Sequence, residues 1–524
     1  MLGPSTFRAK AIKRSVAAEK LFIADVDARV QKILELLKHA GPGITAAAKD
    51  IGAEVAYTIG AVSHWYLPLL DPYVKQHTEE PGVFIEFWND PPAMDYVRTS
   101  PDFSVSLKQP VWSTRTLSTN SFMMDGIDET KVNKICWMRV TAKFTPDEDG
   151  DWELGLTIAG RGNLFLDQKL VIDLTTAPVQ GESFFGLGTT DVRTVVKDLK
   201  AGKKYDLELR LSNAEFAARG SPFDCWGGVR IGAMRQIKGD EAIAEAINIA
   251  RNVDVAVVVI GLNHDWESEG FDRSDMELPG LTNQLVPEIL LANPNTIIVN
   301  QSGTPVSMPW IEDADTAFYG GDELGNGLAD VLLGKVNPAG KLPLTFPKRL
   351  HDSPSYPSFG DKGQEHGKFL YNEGIFVGYR GFEIKDVEPL FPFGHGISYT
   401  QFEYSNLNSS SISSDGKFTI SFEIKNTGDV QGREIAQIYV VDKVSSLPRP
   451  TKELKGFIKV DLQPGEIKNV EHVFDREALG FYDDRAAHWV AEAGKFTILV
   501  AASSIDVRLK KDVELVESFT WTGL

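Results

Sequence analysis

Two segments with the composition of buried strands lie in the middle of the chain, at residues 253–262 and 296–303. The first is an almost unbroken series of β-branched side chains, and such runs are typical of parallel strands that are buried on both faces. Helical spacing predicts a helix at 283–292 between them, and a third strand at 316–319 is followed by a helix at 328–333. This order predicts a βαβ arrangement with right-handed crossovers.

On the N-terminal and C-terminal sides of this central region, apolar and polar residues alternate along the chain. Between about residues 83 and 231, and again beyond residue 400, short alternating segments are separated by turns. Both regions are therefore predicted to be all-β. The predicted fold class is multidomain, α/β plus all-β: a parallel-sheet α/β sandwich is interrupted by a β-barrel insert and followed by an immunoglobulin-like β-sandwich.

Three further elements are predicted outside these regions. Residues 5–39 carry apolar side chains at helical spacing and need a surface to bury against. A short strand is predicted at 57–60, and Asp240 is expected to cap a helix over 241–252. His395 lies in an aromatic turn, where we expect a structural, hydrogen-bonded role for it.

Candidate chemistry lies directly after the first apolar run, in the segment 266–273. It contains Glu267, Glu269, one aspartate, one arginine and two aromatic residues. Ligands of open parallel sheets bind beyond the carboxyl ends of the strands, and Glu269, Gln301 and Glu323 all lie at the ends of predicted strands. Aromatic rings stack on sugars, and a carboxyl can protonate a glycosidic oxygen. A solvated acidic loop explains these eight residues equally well, so the neighbouring sequence has to decide.

The composition of the chain indicates which classes of molecule it binds. The chain has 524 residues, 42% of them hydrophobic and 24% charged, and a net charge of −19. This acidity argues against nucleic acid and anionic membranes and suits a neutral sugar. Cys136 and Cys225 are too few for a disulfide framework, and the nine histidines lack metal-ligand spacing. We therefore expect no metal and no cofactor. The first ten residues lack the apolar core of a signal peptide, so the sequence as written indicates the cytosol and leaves the localisation open.

Four stretches decide between the two explanations of the acidic loop, because in this order they resemble glycoside hydrolase family 3, in its β-glucosidase branch. They are WESEGFDRSDMELP (266–279), QSGTPVSMPW (301–310), GGDELGNGLADVLLGKVNPAGKLPLTFP (320–347) and PLFPFGHGISYT (389–400). The resemblance covers almost the whole chain. It implies a retaining hydrolase that removes terminal β-D-glucosyl residues from β-glucosides or oligosaccharides.

The resemblance also implies a domain order. Residues 1–42 are similar to the last helices of a TIM-like barrel, and residues 43–60 and 237–400 to an α/β sandwich. Residues 61–236 are similar to a protective-antigen-like β-barrel, and residues 401–524 to a fibronectin type III-like domain. Most of the TIM-like barrel has no counterpart in this sequence. We therefore consider a separate barrel segment, or a second copy of the chain, as a partner.

The same resemblance assigns the site residues. It places the catalytic acid/base on Glu269, with Glu267 as the competitor two residues away, and it makes Trp266, Asp272 and Arg273 candidate substrate contacts. The family's nucleophile is an aspartate of the barrel, in a Ser-Asp-Trp context that this sequence lacks. We therefore expect this chain alone to be inactive.

Two aromatic residues of the insert complete the candidate site. Phe184 and Phe185 lie in a segment similar to an insert loop that overhangs the active site, and we expect one in the β-core and the other at the rim of an outer sugar site. The alternative to a β-glucosidase is a non-catalytic carbohydrate-binding or remnant protein that keeps these domains.

Overall fold

The computed structural model describes residues 48–49, 51–97, 103–123, 126–181, 183–213, 226–263, 265–267, 272–314, 324–359 and 370–523. Several predictions fall outside this part of the chain. They are the helices within 5–39, the strand at 316–319, and the positions of Glu269 and Glu323.

Alternating sequence in the first half of the chain forms antiparallel strands. They are β1 (Val74–Lys75), β2 (Val83–Trp88), β3 (Trp112–Thr116), β4 (Asn120–Phe122), β5 (Trp137–Phe144), β6 (Gly150–Ala159), β7 (Arg161–Leu166), β8 (Lys169–Asp173), β9 (Val192–Leu199), β10 (Tyr205–Ser212) and β11 (Gly228–Arg235), with a short helix α1 (Ser183–Gly186). One sheet has the order β3-β2-β5-β10-β7-β8, with β1 beside β5, and the second has the order β4-β11-β6-β9.

The two sheets share one core. Phe87 and Phe144 from the first sheet and Trp152 and Ile231 from the second belong to the same buried cluster. Trp152 lies against Tyr73 and Phe144, with ring centroids 5.2 Å and 5.5 Å away. Its indole N–H donates to the carbonyl of Glu148 at 3.1 Å. The predicted alternation therefore corresponds to sheets that each present one face to a common apolar interior.

The central α/β region contains the second set of elements. They are α2 (Gly239–Arg251), β12 (Ala256–Gly261), α3 (Thr282–Ala292), β13 (Thr296–Gln301), α4 (Leu324–Leu332) and α5 (Tyr379–Ile384). The strands β12 and β13 are parallel and in register from Ala256 opposite Thr296 to Gly261 opposite Gln301. The prediction that these two strands are adjacent and parallel is confirmed.

Burial of β12 differs from its prediction. Val257 is 36% exposed and Val259 is 53% exposed, whereas Ile298 and Val299 of β13 are fully buried. Among the described residues β12 pairs only with β13, and the exposure of Val257 and Val259, which share a face of β12, shows that this face is not covered. The prediction that this apolar run is buried on both faces is therefore wrong, because continuous apolar sequence does not by itself report which face is covered.

Two local predictions also fail. Residues 57–60 form no strand, and Tyr57 is 83% exposed; no strand in the described part of the chain pairs with this segment. The helix α2 begins two residues earlier than predicted, with Lys238 at the position before it. Asp240 consequently lies in the first turn instead of capping it, where its negative charge still favours the positive end of the helix dipole.

The C-terminal region is an all-β unit with its own core. Its strands are β14 (Phe402–Ser409), β15 (Phe418–Asn426), β16 (Gly432–Asp442), β17 (Glu453–Leu462), β18 (Ile467–Phe474), β19 (Phe481–Asp483), β20 (His488–Ala491), β21 (Gly494–Ala501), β22 (Val507–Leu515) and β23 (Phe519–Trp521). The sheets have the orders β14-β15-β18, β17-β16-β21-β22 and β19-β20-β23. Phe418, Phe422 and Ile438 lie in a common buried cluster, as the alternating pattern predicts.

An aromatic turn joins the α/β region to this β unit. His395 stacks on Phe391 with the ring centroids 5.1 Å apart. Gly394 has φ +78°, and a Cβ there would come within 2.1 Å of the Gln437 side chain, which donates to the Gly394 carbonyl at 3.0 Å. Lys341 and Glu434 form an ion pair of 3.0 Å across the same junction. The turn thus requires glycine, and His395 is part of its packing.

Protonation of His395 should weaken this junction. Burial, and then the charge of Lys341, lower the pKa of His395 below 6.5. The unfolded chain therefore takes up a proton that the folded chain resists, so stability is complete above about pH 6.5 and is lost as the pH falls through that value. We expect the melting temperature to fall between pH 7.5 and pH 5.5, and to fall less steeply in His395→Gln. Equal slopes in the two proteins would contradict this origin.

Candidate functional site

The loop after β12 begins with a tight turn. Asn263 organises it: its side-chain oxygen accepts from the Asp265 N–H at 3.0 Å, and its carbonyl accepts from the N–H groups of Trp266 and Glu267, both at 3.0 Å. This turn directs three successive side chains, at 265, 266 and 267, toward three different neighbours. The loop therefore leaves the sheet in a defined direction.

Asp265 points back toward the insert. Its carboxylate lies 3.5 Å from the guanidinium of Arg230 on β11, and the two side chains are only 7% and 10% exposed. The Arg230 guanidinium also donates to the Leu67 carbonyl at 3.4 Å and lies over the Tyr66 ring at 4.9 Å. This buried charge pair connects the loop to strand β11.

Trp266 packs on the segment that leads into the insert, residues 61–70, which we call the connector. Its indole N–H donates to the Ser63 carbonyl at 2.7 Å. Its ring meets Trp65 edge-on, with the ring centroids 4.7 Å apart. One side of Trp266 is thus committed to the connector, while the residue also lines the cleft described below.

Glu267 is held by the turn that follows β13. One carboxylate oxygen accepts from the Gly303 N–H at 2.8 Å, and the other accepts from the Thr304 N–H at 2.7 Å and the Thr304 hydroxyl at 2.5 Å. Both oxygens therefore face the chain itself. Charge-assisted bonds of this type are among the stronger ones in proteins, so Glu267 fixes the loop of one strand to the turn of the next.

Arg273 contacts the chain on the returning side of the loop. Arg273 donates to the Glu277 carbonyl at 2.5 Å and lies 3.9 Å from the Asp275 carboxylate. Asp272 is exposed. Arg273 therefore holds the returning half of the loop through Asp275 and Glu277, and its role as a substrate contact stays a prediction.

These loop residues line one side of a large cleft of about 1170 Å³. The other sides come from the segments 343–355 and 373–382 and from the start of β17. The polar side chains that line it are Glu267, Asp272, Arg273, Asp275, Thr304, Thr345, Ser353, Ser355, Glu373, Tyr379, Arg380 and Glu453. Its volume lies just above the range of about 300–1,000 Å³ that is usual for small-molecule sites.

The structure does not bring Phe184 to this cleft. Phe184 is half-buried and stacks on Phe122, with ring centroids 5.4 Å apart, and it lies against Gly228 of β11. The side chain of Phe185 is outside the described part of the chain. A role for either at an outer sugar site stays a prediction.

Several residues of the site carry no local sequence signal. Arg230 lies 35 residues before its partner Asp265, and Ser63 lies 203 residues before Trp266. Glu373 and Arg380 line the cleft from the predicted α/β sandwich, and Glu453 lines it from the predicted fibronectin type III-like domain, but none of the three was named as a site residue. In the ranges that the structure describes, no group of three or more His, Cys, Asp or Glu side chains is placed to hold a metal ion. No helix in those ranges is long and apolar enough to cross a membrane.

Comparison with known proteins gives one consistent result. Residues 43–379 match the C-terminal domain of glycosyl hydrolase family 3, and residues 434–504 match the fibronectin type III-like domain. Probable beta-glucosidase I of Aspergillus oryzae is 38% identical over 496 residues, which are 92% of this chain and 57% of that protein. Probable beta-glucosidase K of Emericella nidulans is 39% identical over 485 residues, which are 90% and 55%.

A solved structure agrees with these matches. The crystal structure of the β-glucosidase from Kluyveromyces marxianus in complex with glucose superposes with a TM-score of 0.80 at 36% identity, over 91% of this chain and 56% of that chain. The present chain therefore spans little more than half the length of the relatives it matches.

Proposed function

Because this chain belongs to glycosyl hydrolase family 3, we propose that it supplies the acid/base half of a retaining β-glucosidase site that acts on terminal β-D-glucosyl residues. The observation that carries the proposal is the loop at the carboxyl end of β12. This loop borders a cleft large enough for a sugar chain, and its first glutamate is held by the neighbouring turn.

Glu269 is the acid/base in this proposal. A retaining glycosidase needs one carboxyl that protonates the glycosidic oxygen and then activates water. Glu267, the competitor, has both oxygens hydrogen-bonded to Gly303 and Thr304, so its carboxylate already holds the loop to the neighbouring turn. Gly270 next to Glu269 lets the backbone approach a sugar closely. These points favour the second glutamate of the loop over the first.

The nucleophile belongs to a different stretch of polypeptide. Retaining glycosidases hold their two carboxyl groups about 5–5.5 Å apart, and the second one forms a covalent glycosyl intermediate. We infer from the family that this carboxylate is an aspartate on an N-terminal barrel. We also propose the domain order. Residues 61–236 form a protective-antigen-like barrel that is inserted into an α/β sandwich of residues 43–60 and 237–400, and residues 401–524 form a fibronectin type III-like support domain.

Hydrolysis of an aryl β-glucoside tests whether the acid/base lies on this chain and the nucleophile on a separate barrel. The 524-residue chain expressed alone should release no aryl alcohol above the uncatalysed rate, because no covalent intermediate can form without the nucleophile. The same chain preceded by the barrel of a relative should turn over. Steady release by the pure chain, lost in Glu269→Gln, would show that a second carboxylate of this chain acts as the nucleophile and would overturn the assignment of the nucleophile to a separate barrel.

A further inference from the structure

We propose that Arg230 and Asp265 are positioning residues through which the β-barrel insert sets the place of the acid/base loop. The catalytic meaning of this role rests on the proposed function, whereas the mechanical link does not. The inference gives the insert a part in the chemistry besides any contact it makes with the outer sugar residues.

The first step is the location of Arg230. It lies on β11 between Val229 and Ile231, which are both buried in the insert core. Side chains alternate along a strand, so Arg230 projects from the opposite face of the sheet, yet its side chain is only 10% exposed. Burying a charge is costly unless it is paired. The cover is provided by the connector and by Asp265.

The second step is the sequence of anchors along the loop. Asp265 is tied to Arg230, Trp266 to the Ser63 carbonyl, and Glu267 to Gly303 and Thr304. The first tie leads to the insert, the second to the connector and the third to the α/β sheet. The insert, the connector and the sheet thus hold three consecutive residues of one turn, and together they set its orientation.

The third step connects these anchors to the proposed acid/base. Glu269 lies two residues after Glu267, and two residues of chain span at most about 7 Å. A shift of the turn at 265–267 therefore moves the point from which the chain reaches Glu269. Because a displacement of about 1 Å in a catalytic group can cost on the order of 100-fold in rate, the anchors need not touch substrate to affect turnover.

Amide hydrogen exchange at Gly303 and Thr304 tests the link directly. These amides donate to Glu267, so they report the position of the loop although they lie far from Arg230 in sequence. In Arg230→Met and in Asp265→Asn we expect both amides to exchange about tenfold faster or more, with Arg230→Lys in between. Amides of β6 and β11 should change less than about twofold.

Arg235→Met is the matched control. Arg235 is on the same strand and pairs with Glu148 at 2.9 Å, but the two side chains are 57% and 58% exposed. In Arg235→Met the amide hydrogens of Gly303 and Thr304 should exchange at the same rate as in the parent chain. The proposal would be overturned if the Gly303 and Thr304 amides exchanged at the parent rate in Arg230→Met. It would also be overturned if the amides of the insert strands exchanged faster by the same factor, because the pair would then contribute only to packing between domains.

A kinetic readout separates this proposal from the proposed function. In the chain preceded by a relative's barrel, Arg230→Met should lower kcat by tenfold or more and change KM by less than threefold, and Arg230→Lys should recover part of kcat. A rise in KM of tenfold or more with kcat unchanged would contradict a positioning role. If the parent chimaera does not turn over at all, the proposed function fails while the exchange experiment still decides the mechanical link.

Discussion

Glu269→Ala, in an enzyme in which a relative's barrel precedes this chain, should lower kcat/KM by about 10²–10⁴-fold for β-glucosides with poor leaving groups. Such leaving groups need a proton as the glycosidic bond breaks, and the variant has no acid to give it. Substrates with an activated aryl leaving group should lose far less in the glycosylation step. Steady-state kinetics over a series of aryl leaving groups measures this dependence.

Glu267→Ala is the control for this experiment. It removes the three hydrogen bonds that hold the loop to Gly303 and Thr304, so it should lower the rates of good and poor substrates by similar factors. A steep dependence on the leaving group in Glu267→Ala, together with a flat one in Glu269→Ala, would move the acid/base two residues toward the N-terminus.

Trp152→Ala should destabilise the insert by about 3–5 kcal/mol, the range for truncating a large buried aromatic residue. Trp152 is 1% exposed, and it packs on Tyr73 and Phe144 at the centre of the two sheets. Its loss leaves a cavity and an unpaired Glu148 carbonyl. The free energy of unfolding, followed in urea through exchange of the insert amides, measures the effect.

Leu117→Ala provides the comparison within the same region. Leu117 is 73% exposed, so its truncation should change the free energy of unfolding by less than about 0.5 kcal/mol. A loss below about 1 kcal/mol in Trp152→Ala would mean that the two sheets do not share one cooperative core.

Local patterns were sufficient for the elements whose burial repeats along the chain. Phe418, Ile420, Phe422 and Ile424 alternate in the sequence, and all four are buried on one face of β15. The parallel pair of β12 and β13 follows in the same way from two apolar runs separated by a helix. In these elements a period of two residues, or a continuous apolar run, reports directly on backbone conformation.

Features that depend on distant partners were not predictable from those patterns. The apolar run of β12 gave no sign that Val257 and Val259 would lie on an uncovered face, because cover depends on which elements pack there. Residues 57–60 have strand-like composition but no partner strand. A strand needs a neighbour to satisfy its hydrogen bonds, and composition does not provide one.

The acidic loop also combines features that local sequence predicts with features that depend on distant contacts. Its composition and its place after a buried strand predicted chemistry there, and it does border the large cleft. Composition treated Glu267 and Glu269 as equivalent, since residues two apart point the same way in an extended loop. The family resemblance favoured Glu269, and the Gly303–Thr304 turn, 36 and 37 residues further along the chain than Glu267, adds a contact that composition could not reveal.

The identity of the product formed with azide tests the central claim most directly. A retaining enzyme without its acid/base still forms the covalent glucosyl intermediate from an activated aryl β-glucoside, and azide can then attack that intermediate on the face that water would use. In the barrel-restored protein, Glu269→Ala with azide should yield β-glucosyl azide, identified by proton NMR, and Glu267→Ala should yield none. Formation of β-glucosyl azide by Glu267→Ala and not by Glu269→Ala would contradict the assignment of Glu269 as the acid/base.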